Sequence, residues 1–376
     1  MEDRIVAEID LGAIRQNVTE IRTHVGLRVE VMPVVKADAY GHGAVKVARV
    51  ALEAGAEWLG VATVEEALTL RKHFERPNIA VFAPFAHQDA EEIVVNHLTP
   101  FVGDLESAQA LSRAAQKLRG NAKLHLDVDT GMGRSGVLPS MAARLAGHIA
   151  RMPSILVTGL TTHFPSAEDD PDFTNAQLAQ FLRTAEEVKA TDTALPHIHA
   201  ANTAALLQYP SARLNMVRPG LLIYGIVPHV PEGTPVPPLE PALSLKTSIV
   251  QIRSLPEGHT ISYGRTCTLS RPSRVATLPV GYGDGYPRAI GNRGAVLING
   301  HRAPILGRVC MDVTMVDVTD IPDAVVGSSV VLIGKQGEEK ITLEQIALIT
   351  GVTEHDVTLR LTDRVTKKYV DSKKAN

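Results

Sequence analysis

From Arg28 to Gly225 the chain alternates short β-branched runs with longer stretches of helical periodicity, and that rhythm narrows the fold more than any other feature. Candidate strands are Val29–Val35, Trp58–Ala62, Ile79–Phe82, Thr99–Val102, Lys123–Val128, Leu156–Thr161, His197–His199 and Asn215–Val217. Glu65–Phe74 and Leu105–Leu118 carry apolar residues at helical spacing with charges between, as amphipathic helices covering a sheet should. Eight such units close a TIM-like (β/α)8 barrel, an α/β architecture.

The rhythm stops at a proline-rich stretch, Val227 to Pro241, which neither a helix nor a central strand can absorb; it reads as a linker. Beyond it come β-type runs at Ser248–Ile252, Arg274–Pro279, Ala295–Ile298 and Val330–Ile333, broken by Gly, Pro and Asn. The second domain is therefore mostly β, with one helix expected over Thr342–Ile349 and Thr342 as its cap. Residues 1–9 are strand-like and are expected to pack on that domain. The organisation read from the sequence is thus 1–9 as an N-terminal strand, 10–235 as the barrel and 236–376 as a β-rich C-terminal domain.

A chain of 376 residues exceeds one ordinary domain, in keeping with two. Lys and Arg total 38 against 41 Asp and Glu, so no basic excess favours nucleic acid or an anionic membrane; small neutral or zwitterionic partners fit better. Two cysteines, Cys267 and Cys310, build no disulfide framework and suit a reducing compartment. The acidic N-terminus lacks the pattern of a signal peptide, and no apolar run is long enough to span a bilayer, so a cytoplasmic protein is expected.

Chemically capable residues collect just after the expected strands: Lys36, Asp127 with Asp129, His163, His199 with Asn202, and Arg218. Barrel enzymes keep their active sites at that end. Lys36 follows the apolar run Val31 to Val35, where partial burial would lower the amine pKa from about 10.4 and favour attack on an aldehyde. A lysine snorkelling from a strand end is the plain alternative.

Asp127-Val-Asp129 would place two carboxylates on one strand face, followed by a Gly-rich loop that returns Arg134 over the site. Together with His163 and His199 the pair would also suit a metal-dependent barrel hydrolase, but Lys36 and Arg218 are odd neighbours for a cation, and no metal is expected. Arg218-Pro-Gly220-Leu221 falls where barrels bind phosphate through backbone N–H groups, and Ala201-Asn202-Thr203 opens a short helix that supplies more of them. For Thr203 a simple helix cap is the plain reading.

These residues resemble the alanine racemase family. Val-Val-Lys36-Ala-Asp-Ala-Tyr40-Gly-His-Gly43 is similar to its cofactor-lysine signature. Asp129-Thr-Gly-Met-Gly-Arg134, Thr162-His163-Phe164, Ala201-Asn202-Thr203, Val217-Arg218-Pro-Gly220, Ser262-Tyr263-Gly264, Gly281-Tyr282-Gly-Asp-Gly-Tyr286 and Gly307-Arg-Val-Cys-Met311-Asp312 follow in the family's order. The resemblance runs nearly end to end and implies a barrel followed by a β domain, with pyridoxal 5'-phosphate at the barrel mouth.

It further implies that Lys36 bonds the cofactor, that Tyr40, Thr203, Gly220 and Leu221 hold the phosphate with Asn202 and His163 nearby, and that Arg134 bonds the ring phenolic oxygen. Arg218 would face the pyridine nitrogen. A guanidinium keeps its proton, so that nitrogen stays unprotonated and the ring is a weaker electron sink, which limits side reactions. Racemisation needs a base on each face of Cα; the resemblance gives Lys36 one face and Tyr263 of the partner subunit the other. A tyrosine is a poor base at neutral pH, and a chain from His163 to Arg218 is the expected support. Met311, through its backbone N–H, and Tyr282 would be the partner's share of substrate binding, beside a supporting Asp312, in a homodimer with shared sites. Met311 as core and Tyr282 as a turn aromatic are the plain alternatives.

Two departures stand out. Where many members carry a lysine carbamylated by CO2 beside the arginine, this chain has Asp127, already an anion. Where some members place a tyrosine, it has Asp363, which a dianionic phosphate would repel and which is expected to turn away, onto Arg364; this opens the question of serine as a competitor to alanine. The expected reaction is interconversion of L- and D-alanine, with a serine or broad-specificity racemase of the same type as the alternative. Decarboxylases on this barrel need no second base, and a non-catalytic carrier of the cofactor would have little use for Tyr263 and Met311.

Overall fold

Parallel pairing joins Trp58–Val61, Asn78–Val81, Leu98–Val102, Ala122–Asp127, Ile155–Thr161 and His197–His199 in sequence order, while Glu30–Val31 pairs with Met216–Val217. The computed structural model that carries these strands describes residues 4–372. The first three residues of the strand expected over 1–9, and the end of the polar tail, lie outside that range. Backbone bonds from Val35 N–H to Gly60 O (2.8 Å) and from Arg218 N–H to Ala201 O (2.9 Å) link the two sheets at both edges, so eight parallel strands complete a TIM-like ring.

The first strand is regular for only two residues, against the seven expected, because Pro33 has no N–H to donate and Val34 makes only an isolated bridge to Gly60. The helices form where the apolar spacing places them and start at identifiable caps. Thr63 and Glu66 form a capping box at the head of Val64–Arg71, and Asp104 caps Leu105–Lys117 through Ser107 N–H. Inside the ring, Met32, Trp58, Ala80, Phe101 and Met216 pack as one buried cluster with Phe82 against it.

The chain divides into two units. One comprises Ile14–Ala39 and Gly43–Glu240, and holds the ring; the other comprises the residues up to Ala13, Tyr40–His42, and the chain from Pro241 onward. The division thus falls after Glu240, within the proline-rich stretch. In the second unit the strand order is Gln251–Leu255, Ser273–Leu278, Thr314–Asp317, His301–Leu306, Ala295–Ile298, Ser329–Gln336, Leu243–Ser248, Val6–Asp10 and Thr366–Val370, with Glu339–Ile341 added to Ser329–Gln336. Val6–Asp10 pairs antiparallel with Leu243–Ser248 and parallel with Thr366–Val370, and its residues alternate between buried and half-buried, as a strand with one covered face requires.

Two expectations for this unit need correction. The run Ser248–Ile252 is not one strand: the chain leaves the sheet at Ile249–Val250 and re-enters as Gln251–Leu255. The helix capped by Thr342, Leu343–Thr350, is followed by a second, Glu354–Leu359, which the sequence reading missed because its six residues span less than two turns.

Candidate active site

Lys36 directly follows the buried Val34–Val35 and is itself half-buried. Loss of water lowers its amine below the ordinary range, the Arg134 guanidinium adds to that, and the Glu66 carboxylate opposes it. The backbone after it is unusual. Ala37, Asp38, Ala39 and Tyr40 all lie in the left-handed region, with φ between 50° and 56°, at a cost of roughly 1–2 kcal/mol per residue.

The turn is held by bonds on every side. Ala37 N–H donates to Glu66 Oε1 (2.6 Å), Ala39 N–H to Val35 O (2.9 Å), Gly43 N–H to Asp38 O (2.8 Å) and Ala44 N–H to Asp38 Oδ1 (2.8 Å). Glu66 therefore does two tasks: its other oxygen accepts from Ala62 and Thr63 in the capping box. The sequence reading placed a helix over Glu65–Phe74 but named neither its Thr63–Glu66 capping box nor the use of the same carboxylate to anchor the lysine turn.

At the end of Ala122–Asp127 the chain makes a tight loop and returns, Val137 N–H donating to Asp127 O and Asp129 N–H to Val137 O, both at 2.9 Å. Gly136 is required there, since a Cβ would lie 2.8 Å from Asp129 N. Asp129 accepts from Gly131 and Gly133 N–H and so shapes the loop that carries Arg134, which is exposed. Asp127 points elsewhere: its Oδ2 accepts from Ser135 Oγ (2.8 Å). Burial raises the Asp127 pKa, while Ser135, Arg218 and Arg134 act to lower it, Arg218 more than Arg134.

Among the described residues Arg218 is the most enclosed Lys or Arg, only 5% exposed. It donates to Thr161 Oγ1 (3.1 Å), His199 Nδ1 (2.6 Å), Thr162 O (2.7 Å) and Ala200 O (3.1 Å), and lies 3.5 Å from His163 Nδ1. Burial lowers it to about 10, and burial with the charges of Arg218, Arg134 and Lys36 pushes His163 down to about 3, so that imidazole is neutral at physiological pH. The donors that a metal reading would require are thus spent on hydrogen bonds: Asp127 on Ser135, Asp129 on loop N–H groups and His199 on Arg218.

Thr203 is not the helix cap. Asn202 is, accepting from Ala205 N–H (3.1 Å) and donating to Phe164 O (3.1 Å), whereas the Thr203 hydroxyl accepts the Gly220 N–H at 2.9 Å. That bond ties the start of Thr203–Gln208 to the start of Leu221–Tyr224. Tyr40, which groups with the C-terminal unit, has its ring edge-on to His355 at 5.8 Å, and burial pushes its hydroxyl up to about 12.

The remaining expected residues belong to the C-terminal unit. Tyr263, Met311 and Tyr282 are 68%, 52% and 41% exposed, a large exposure for such side chains, which disposes of Met311 as core. Tyr263, Met311 and Asp312 line an open groove of about 330 Å³ with Ser262, Cys310 and Val313. Tyr282 N–H donates to Cys310 O and Gly283 N–H to Met311 O, which joins the two loops. The fully buried Asp284 accepts from Gly281 N–H and pairs with Arg4 and Arg364, and Arg364 also pairs with Asp312 at 2.7 Å. The expectation that Asp363 turns onto Arg364 is corrected accordingly: Arg364 engages Asp284 and Asp312, while Asp363 is exposed.

Family models for the alanine racemase N-terminal domain and the alanine racemase C-terminal domain match residues 9–228 and 242–369. The chain belongs to the alanine racemase family. Alanine racemases of Halothermothrix orenii and Symbiobacterium thermophilum are 41% and 42% identical to it over 364 residues, 96% of either chain in each case. Among solved structures, the alanine racemase of D-cycloserine-producing Streptomyces lavendulae superposes with a TM-score of 0.93 at 33% identity, covering 100% of this chain and 99% of that one. The alanine racemase of Bacillus anthracis with bound L-Ala-P gives 0.90 at 33% identity, covering 99% and 96%.

Proposed function

We propose that this member of the alanine racemase family interconverts L- and D-alanine with pyridoxal 5'-phosphate bonded at Lys36, in sites shared between the subunits of a homodimer. The observation that carries the reading is the half-buried Lys36 amine, its pKa lowered by lost water and a nearby guanidinium, on a turn built to hold it still. The donor set fits an anionic pyridine aldehyde: an amine for the aldehyde, Arg134 for the phenolic oxygen, Arg218 for the ring nitrogen, and Tyr40, Thr203, Gly220 and Leu221 for the phosphate, with Asn202 and His163 beside them. When bound, the cofactor supplies an electron sink that makes the substrate Cα–H acidic.

Lys36 exchanges a proton with Cα on one face, and Tyr263 of the partner subunit on the other. Arg218, with four other hydrogen bonds to the protein, holds its orientation and only donates. Neutral His163 can accept from Arg218 without adding charge. The Met311 backbone N–H and Arg134 hold the substrate carboxylate, and Tyr282 with Asp312 lines the approach. The exposure of Tyr263, Met311 and Tyr282 supports a dimer in which they face a second copy. Both cysteines are unpaired, and among the described residues no helix is long and apolar enough to cross a membrane; a cytoplasmic supplier of D-alanine for cell-wall precursors is in keeping with both.

Asp127 takes the part of a built-in anion. Asp127→Ala should lower kcat about tenfold, the worth of one charge-assisted interaction, and CO2-free buffer should leave wild-type turnover unchanged. Wild-type turnover in the variant would remove this role.

The deciding assay incubates purified protein and pyridoxal phosphate with L-alanine and, separately, L-serine. A near-visible absorbance band with D-alanine as product supports the reading, and the D-serine yield measures breadth at the mouth where Asp363 stands. A band without D-product would leave a decarboxylase or carrier.

A further inference from the structure

Two histidines fill the ring beneath Arg218, where branched apolar side chains usually sit. His125 and His199 have no exposed surface, and His125 Nδ1 lies 2.9 Å from His199 Nε2. Around His125 pack Trp58 at 5.2 Å, Phe101 at 5.8 Å and stacked, and His197 at 5.6 Å between ring centroids; His197 Nδ1 is in turn 2.8 Å from Glu30 Oε2. Gly159 makes the space, since a Cβ there would lie 2.5 Å from His125 Cδ2.

The protons on this ladder are fixed by the first rung. A guanidinium can only donate, so His199 Nδ1, at 2.6 Å from Arg218 Nη1, must be the bare nitrogen. His199 therefore carries its hydrogen on Nε2 and donates it to His125 Nδ1. His125 then carries its own hydrogen on Nε2, where the structure gives it no hydrogen-bond partner. Any other neutral arrangement sets two hydrogens or two lone pairs against each other, and burial among positive charges disfavours a second proton on either ring. An apolar residue at 125 would avoid the unpaired N–H, so this imidazole is costly as mere filling.

We propose that His125 is a positioning residue: by accepting from His199 Nε2–H it holds the His199 ring in place, and through it the orientation of the Arg218 guanidinium. The inference deepens the functional reading above and rests on it for the role of Arg218.

The test uses holoenzyme labelled with 15N-histidine, in which NMR reports which ring nitrogen bears hydrogen. In the wild type both His199 and His125 should show a bare Nδ1 and a protonated Nε2. His125→Leu should leave His199 in the same tautomer but move its ring 15N signals, because Nε2–H loses its acceptor, and lower kcat about tenfold, the rate equivalent of one hydrogen bond, with KM little changed. His125→Asn, whose Oδ1 replaces Nδ1 as acceptor, should keep the wild-type His199 signals and most of the rate. A protonated His199 Nδ1 in the wild type overturns the proposal whether or not the leucine variant folds, and so does a leucine variant with an unchanged His199 signal and unchanged kcat. Absence of racemisation by the wild type would instead defeat the functional reading, and leaves the tautomers readable.

Discussion

Lys36→Ala should lose at least about 10³-fold in alanine racemisation in both directions, together with the near-visible absorbance band, because one side chain serves as both cofactor anchor and base. Tyr263→Phe should lose a comparable factor, roughly 10²–10⁴, but with a different signature. With only one face served, the variant should still exchange the α-hydrogen of one enantiomer with D2O solvent while failing to invert it. Mass spectrometry of each enantiomer recovered from D2O separates the two cases. Inversion by Tyr263→Phe at the wild-type rate would remove tyrosine as the second base. Mixing Lys36→Ala with Tyr263→Phe subunits adds a test of the shared site: hybrid dimers should regain one fully equipped site each, and no regain would argue against sharing.

The second large effect is on stability in mild acid. His125, His163 and His199 are all held neutral, His163 at about 3 and the other two far below their usual value, chiefly by burial. In the unfolded chain each takes up a proton near pH 6.5; in the folded chain it does not until much lower pH. Stability is therefore fully present above about pH 6.5 and falls as the pH drops toward 3, by about 1.4 kcal/mol per pH unit for each histidine and about 4 for the three together. Asp127, whose pKa is raised, acts in the opposite sense, but only in the carboxylate range. Urea denaturation followed through Trp58, the one tryptophan, should show a midpoint that drops steeply between pH 6.5 and 5. A flat midpoint would mean that these imidazoles protonate without unfolding the barrel.

Much of this was legible in the residues. The β-α rhythm located all eight barrel strands, because each pairs β-branched runs with turn signals at a spacing tertiary packing has no reason to override. It misjudged their lengths where a proline or a loop intervened, as at Pro33. Lys36, His163 and Arg218 were visible as polar residues at strand ends, and Arg134 on the Gly-rich loop that follows Asp129. What stayed hidden was which partner each would choose. Asp127 faces Ser135 and is influenced more by Arg218 than by Arg134; Asn202 rather than Thr203 caps the helix; Arg364 takes Asp284 and Asp312. The partners of Arg364 lie tens of residues away along the chain, and even the near ones of Asp127 and Asn202 depend on how a loop or a helix start is turned, which no periodicity encodes. His125 was hidden for another reason: within Lys-Leu-His-Leu-Asp it reads as one polar residue of an alternating strand, and only the closed ring shows that its face is the interior.

The turn from Ala37 to Tyr40 has a consequence for which changes the chain can tolerate. Its backbone has the handedness that D-residues prefer, yet it is built from L-residues. Glycine would relax each of these positions, and a β-branched residue would strain them further, irrespective of the room available. Backbone handedness is thus a constraint on this segment in addition to the burial of Ala39 and the hydrogen bond to the Asp38 carboxylate. A chemically synthesised chain with D-alanine at 37 would hold the same path with less strain, and would be expected to bring Lys36 to the same place.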